Sequence, residues 1–236
     1  MSAALSRRGF LGCACCGTLG LGAGFSPSAV HAAVKRTHLT PDQALQLLKE
    51  GNDLFVTDRA IRTVPGREQR LEIARGQSPF AVLVSCSDSR VPPEVLFGRG
   101  LGELFIVRNA GNTVDTVAVG SIQYAVAELG VPLIVVLGHE RCGAVEAAVS
   151  VVKGNATFPG SIGQMIEPII PAVLSAQSQP GDLLDNAVRE NVRRVVTQLR
   201  TSSEPILLEP LRAGKLKIVG ARYDLDDGNV DFFVEG

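Results

Sequence analysis

Two short apolar runs, residues 80–84 (FAVLV) and 133–137 (LIVVL), constrain the architecture of this 236-residue chain more than any other feature. Continuous apolar runs of this length, without polar alternation, suit strands covered on both faces, as in a parallel sheet between layers of helices. A strand with one wet face would alternate instead. Both runs end abruptly in polar residues. The first runs into Cys86-Ser87-Asp88-Ser89-Arg90, the second into Gly138-His139-Glu140-Arg141-Cys142-Gly143. In open α/β sheets ligands bind beyond the carboxyl ends of the strands, which is where both clusters would lie.

Those clusters have the composition of a metal site. Cys86 and Asp88 are two apart, so an extended segment projects both side chains to one face. His139 and Cys142 are three apart, so one helical turn brings them together. Zinc takes thiolate and imidazole ligands, and a catalytic zinc keeps three protein ligands and an open fourth position. Cys86, His139 and Cys142 supply such a set, with Asp88 as a fourth ligand or a neighbour. Competing readings explain fewer residues. Free cysteine is commonly a small buried hydrophobe. A Cys86–Cys142 disulfide suits an oxidising compartment but leaves His139 and the Asp88-Arg90 pair without a role. A Cys-x5-Arg phosphate loop fails, because Pro92 and Ala148 stand six residues after the two cysteines.

The pair of motifs, CSDSR followed by GHERCGA, resembles the β-class carbonic anhydrases, whose pattern is C-x-D-x-R and then H-x-x-C. The similarity runs from about Thr40 to the C-terminus and is strongest over residues 77–144. It implies one zinc ion per chain and reversible hydration of carbon dioxide to bicarbonate and a proton by zinc-bound hydroxide. It also implies a catalytic pair, Asp88 and Arg90, in which a charge-assisted contact from Arg90 holds the carboxylate. Gln77, nine residues before Cys86, matches the family's substrate-orienting glutamine. Phe105 and Tyr124 match aromatic positions that line the pocket from a neighbouring subunit, with ordinary core packing as the competing reading. Gly143 follows Cys142, where a backbone N–H can face the substrate. N-terminal helices that reach a partner imply a homodimer or homotetramer. Some relatives carry an inhibitory bicarbonate site marked by a Trp where this chain has Leu83. Although Arg108 matches that site's arginine, the departure at Leu83 makes the expectation an open form without bicarbonate control.

Two other functions fit the same scaffold. One is a non-catalytic, zinc-stabilised bicarbonate or anion-binding protein; the other is a hydrolase of carbon disulfide or carbonyl sulfide. Asp88 and Arg90 favour an enzyme over a binding module, which has no need of an activated hydroxide.

Composition narrows the rest. The 23 basic and 24 acidic residues give no basic surface for nucleic acid. Beyond residue 33 no apolar stretch approaches the length of a membrane span. Residues 1–32 read as an export signal: Arg7 and Arg8 in SRRGFL resemble a twin-arginine motif, and a weakly apolar run with five glycines follows over residues 11–25. Small residues around Ala32 suit cleavage, giving a mature chain with 21 basic and 24 acidic residues in the periplasm or outside the cell. Cys13, Cys15 and Cys16 fall in this segment, so Cys86 and Cys142 are the only cysteines of the mature chain and a disulfide-stapled scaffold is excluded.

Residues 33–236 read as one α/β domain, a mainly parallel sheet flanked by helices, with extending N-terminal helices. Thr40-Pro41-Asp42-Gln43 is a helix start. Further helices are expected over 67–75, 91–97, 115–129, 142–152, 162–176 and 182–199. Strands are expected over 80–84, 103–107 and 133–137, and around a turn over 216–223 and 230–234, with a tight turn at 109–112 and a loop at 154–159.

Overall fold

A computed structural model describes residues 36–59 and 65–235. The export segment expected over residues 1–32 lies outside the described residues. Thr40 starts α1 (Pro41–Val56): its hydroxyl accepts from the Gln43 N–H, while Gln43 Oε1 accepts from the Thr40 N–H. That reciprocal pair satisfies two donors a helix start leaves orphaned. α2 (Arg67–Ile73) follows and buries none of its residues. The first apolar run becomes β1 (Ala81–Cys86), with all six residues buried. Next come α3 (Pro93–Leu96), β2 (Leu104–Asn109) and α4 (Thr116–Ala127), the last capped by Asp115, whose carboxylate accepts from the Ala118 N–H. The second run becomes β3 (Leu133–His139), with all seven residues buried. The chain continues through α5 (Gly143–Gly154), α6 (Ser161–Ile166), a 3-10 turn (Glu167–Ile169), α7 (Ile170–Ala176), α8 (Leu183–Arg200) and α9 (Pro205–Arg212), and ends in β4 (Lys217–Tyr223) and β5 (Val230–Val234).

The five strands form one sheet in the order β2-β1-β3-β4-β5. The first four are parallel and β5 runs antiparallel to β4, with an irregularity at Gly220/Ala221. Alternate residues of the central strands serve opposite faces. Val82, Val84, Ile134 and Val136 pack under α4, α8 and α9. Leu83, Val135 and Leu137 pack under α1 and α3, against Ala44, Leu45, Leu48 and Leu96. Each fully buried Val, Leu or Ile side chain contributes about 1.5–3 kcal/mol. Two wet-free faces therefore explain why the runs carry no polar alternation. α1 approaches the end of α3 closely because Gly51 has no side chain; a Cβ there would overlap the carbonyl of Phe97, the residue that caps α3.

The strand order reverses direction between β1 and β3, since the chain moves outward to β2 and then returns to the other side of β1. A crevice opens at the carboxyl ends of two such strands. In this chain those ends carry Cys86 and His139.

Two expectations are corrected. The helix expected over 162–176 is broken into α6, the 3-10 turn and α7. Pro168 and Pro171 cause the break, each lacking an N–H for the helical ladder. α9 lies where no helix is expected: Pro205 occupies its first turn, where a missing N–H costs nothing, and buried Leu207 anchors it to the core.

Candidate metal centre

β1 and β3 are adjacent and parallel, with Ser85 in register with Leu137, so the strands deliver Cys86 and His139 side by side. Beyond His139 the backbone turns sharply through Arg141, which adopts a left-handed φ of 50°. Cys142 then becomes the N-cap of α5, placing its sulfur at the positive end of a helix dipole. Cys86, His139 and Cys142 are all buried, and their donor atoms lie within 4.8 Å of one another.

The geometry accepts a tetrahedral metal. The two sulfurs are 3.9 Å apart, close to the roughly 3.8 Å expected of two thiolates bound at about 2.3 Å to one zinc. A disulfide, at about 2.05 Å, is excluded, and both cysteines are free. His139 Nδ1 lies 2.9 Å from the Glu140 carbonyl oxygen, to which it donates, leaving the lone pair on Nε2. That Nε2 is buried and has no hydrogen-bond partner. Leaving such an atom unpaired costs roughly 1–3 kcal/mol, which a ligand taking the lone pair removes. The donor set fits zinc in type, number and orientation.

The two sulfurs are also within hydrogen-bond reach of each other. Cys142 donates to Cys86 and draws the Cys86 thiol well below its ordinary range, with His139 and the backbone N–H of Gly111 adding to the effect. The Gly111 N–H lies 3.3 Å from Cys86 Sγ. Cys142, as donor, is pushed upward, and its burial adds to that.

Asp88 stands beside the triad. Its Oδ1 accepts from Arg90 N at 2.9 Å and Nε at 3.0 Å, and its Oδ2 accepts from Arg90 Nη2 at 2.7 Å. Arg90 thus grips both carboxylate oxygens and holds the Asp88 carboxyl well below the usual carboxylate range. Oδ2 remains 3.9 Å from His139 Nε2, near enough to face whatever the triad binds. From β2, Arg108 closes the loop from behind, donating to the carbonyls of Cys86 at 2.8 Å and Asp88 at 2.7 Å. A second carboxylate group, Glu140, Asp224 and Asp226, is an ion-pair network instead: Arg141 engages Glu140 and Asp226, and Arg222 engages Asp224.

Comparison with known proteins agrees with this geometry. A family model described as carbonic anhydrase matches residues 81–230. The chain is 41% identical over 188 residues to carbonic anhydrase 2 of Mycobacterium tuberculosis, covering 80% of this chain and 90% of that relative. It is 40% identical over 191 residues to the carbonic anhydrase of Mycolicibacterium smegmatis, covering 81% and 92%. Among solved structures, the β-carbonic anhydrase CcaA superposes with a TM-score of 0.63 at 26% identity, covering 80% of this chain and 98% of that one. The chain belongs to the β-class carbonic anhydrases. One of two tetrameric β-carbonic anhydrases of Sordaria macrospora superposes with a TM-score of 0.62 at 26% identity, over 70% of this chain and 85% of that one.

In this β-carbonic anhydrase one chain assembles only part of the expected site. Cys86, Asp88, Arg90, His139, Cys142 and Gly143 come together. Gly143 is exposed at the start of α5, with nothing within 4 Å of the place a Cβ would occupy. Gln77, Phe105 and Tyr124 do not join them. Gln77 is exposed and precedes β1, so the length of that strand, about 20 Å for six residues, separates it from Cys86. Phe105 pairs with Val82 near the same far end, and its ring centre lies 6.4 Å from that of Tyr124, which is 51% exposed. Sequence reasoning missed the Gly111 N–H as a thiolate partner. The turn at 109–112 was legible, but its contact with Cys86 depends on the pairing of β2 with β1.

Proposed function

We propose that this β-carbonic anhydrase hydrates carbon dioxide reversibly to bicarbonate and a proton, using one zinc ion held by Cys86, His139 and Cys142. The observation that carries the reading is the Arg90-clamped Asp88 carboxylate 3.9 Å from the unpartnered His139 nitrogen. Zinc supplies a Lewis acid that lowers the pKa of coordinated water, less strongly where two thiolates already neutralise the dication. Asp88 presents an acceptor oxygen that orients the attacking water, and Arg90 keeps the carboxylate from turning onto the position the three donors leave open. The open backbone N–H of Gly143, at a helix N-terminus, suits the developing negative charge of bicarbonate. No observation favours a binding module or a hydrolase of carbon disulfide or carbonyl sulfide.

Stopped-flow hydration of carbon dioxide by the zinc-loaded chain tests this. Activity is expected to rise towards alkaline pH. Asp88 is depressed by Arg90 and stays ionised through that range, so the rise is not its titration. Zinc-loaded protein with no hydration above buffer at alkaline pH would instead favour the anion-binding reading.

We also infer a homo-oligomer, in which Gln77, Phe105 and Tyr124 of a second copy complete the pocket. Their distance from the triad within one chain and the exposure of Tyr124 support it. Export through the twin-arginine route is proposed from Arg7 and Arg8. Arg7→Lys with Arg8→Lys is expected to keep the protein folded in the cytoplasm; normal periplasmic levels of that double variant would refute the route. Among the described residues no helix is long and apolar enough to cross a membrane.

A further inference from the structure

We propose that Asn191, on α8, is a positioning residue for the metal centre, acting through Gly111 on the Cys86 sulfur. The proposal rests on Cys86 being a zinc ligand. Asn191 is 2% exposed and lies between Val188, Val192 and Val195 on the buried stripe of α8. An amide in such a stripe costs free energy unless it is hydrogen-bonded, and a leucine would serve packing better. Its Nδ2 donates to the Gly111 carbonyl at 2.8 Å. Gly111 in turn donates its N–H to Cys86 Sγ at 3.3 Å. Both polar groups of one residue are thus committed, one to α8 and one to the metal ligand.

The turn needs that anchor. Gly111 and Asn112 are consecutive left-handed residues, at φ 82° and 46°, a region with several accessible conformations for glycine. A Cβ on Gly111 would lie 2.5 Å from Ile169 Cδ1 and 3.2 Å from Ala144 Cβ, so the backbone is pressed against the 3-10 turn and α5. Within the turn, Asn109 Nδ2 donates to the Thr113 carbonyl at 2.7 Å, and the Asn112 N–H donates to the Asn109 carbonyl at 3.3 Å, so the Gly111–Asn112 peptide is held from its N–H side. Asn191 holds the same peptide from its carbonyl side, which no bond within the turn does. An N–H donated to a thiolate withdraws charge from sulfur, so the orientation of Gly111 sets the donor strength of Cys86 as well as its place.

The full chain loaded with cobalt(II) provides the test, because thiolate-to-cobalt charge transfer reports directly on the sulfur. Asn191→Asp keeps the outline and replaces the donor by an acceptor; Asn191→Leu keeps the volume and removes polarity. Both are expected to move the charge-transfer band to lower energy and to speed zinc loss to a chelator by about ten- to a hundredfold. Asn52 is the control. It is as buried, at 3%, and bonds Leu96, Gly228 and Val230 away from the metal. Asn52→Leu is expected to lower thermal stability without moving the band. Folded Asn191 variants with an unmoved band, or an equal shift in Asn52→Leu, overturn the proposal. A missing band in the unmutated protein overturns the zinc assignment along with it. Should the Asn191 variants not fold, NMR of the unmutated cadmium-loaded protein decides. Scalar couplings are expected from cadmium to the Gly111 amide proton and from Asn191 Nδ2 to the Gly111 carbonyl carbon, and absence of either overturns the proposal.

Discussion

His139→Ala is expected to give a folded protein that loses its zinc on dialysis and hydrates carbon dioxide no faster than buffer. The side chain supplies the only nitrogen donor among the three grouped residues, and its Nε2 is aimed at no other partner. If a four-ligand structural zinc is worth roughly 10–16 kcal/mol, one ligand is worth about 3 kcal/mol, or two orders of magnitude in affinity. The fold should survive. Truncating a fully buried side chain costs on the order of 2–4 kcal/mol, against a typical domain stability of 5–15 kcal/mol. β3 also keeps its backbone pairing, since His139 meets Tyr223 through main-chain groups. Elemental analysis of dialysed protein, alongside thermal unfolding and a hydration assay, separates the effects. Full zinc occupancy with normal turnover would show that the ligand set is wrong; an unfolded variant would show that the imidazole matters more to the core than to the metal.

The part of this site that could be read from sequence is the part carried by continuous strands. Residues 80–84 and 133–137 have no polar interruption because helices cover both faces, and a parallel sheet fixes which end of each strand they share. Once the two strands are adjacent, Cys86 and His139 must meet. The helix over 162–176 was legible in composition but not in continuity, because Pro168 and Pro171 each remove a ladder donor. α9 was hidden by the same residue type in the opposite role: Pro205 starts it, and Pro210 sits inside it without preventing it. Gln77, Phe105 and Tyr124 illustrate a different limit. Their types suit a pocket, yet strand direction places Gln77 and Phe105 at the far end of β1, with Tyr124 packed beside Phe105. In the proposed homo-oligomer a second chain would bring them back. Arg108 reaches the carbonyls of Cys86 and Asp88 with its guanidinium and Gly111 reaches the Cys86 sulfur with its N–H, and no spacing rule announces such contacts.

Arg90→Ala is expected to keep one zinc per chain and the fold while losing roughly two orders of magnitude in turnover, the range a positioned acceptor contributes. The zinc donors are untouched, and Arg90 is exposed, so neither metal nor core depends on it. What changes is Asp88. Three hydrogen bonds from Arg90 hold its carboxylate, two of them from the guanidinium. Without the guanidinium the carboxylate can turn its Oδ2, already 3.9 Å from His139 Nε2, towards the position the three donors leave open. A fourth donor, itself anionic, closes that position to water. Losing Arg90 also lets the Asp88 carboxyl rise back towards the ordinary carboxylate range, which lies well below neutrality, so the blocking form persists at working pH. Acid should not rescue the variant, because conditions that protonate Asp88 also protonate the nucleophile. Asp88→Ala cannot close the site, yet it removes the acceptor that orients the attacking water, and it should be impaired for that separate reason. Two residues acting as one unit give non-additive losses, so the double variant should be no slower than Asp88→Ala alone. Kinetics of the three variants and a crystal structure of Arg90→Ala at neutral pH check the argument. If the losses simply add, or Asp88 in that structure still points away from the triad, Arg90 has no role in holding the site open.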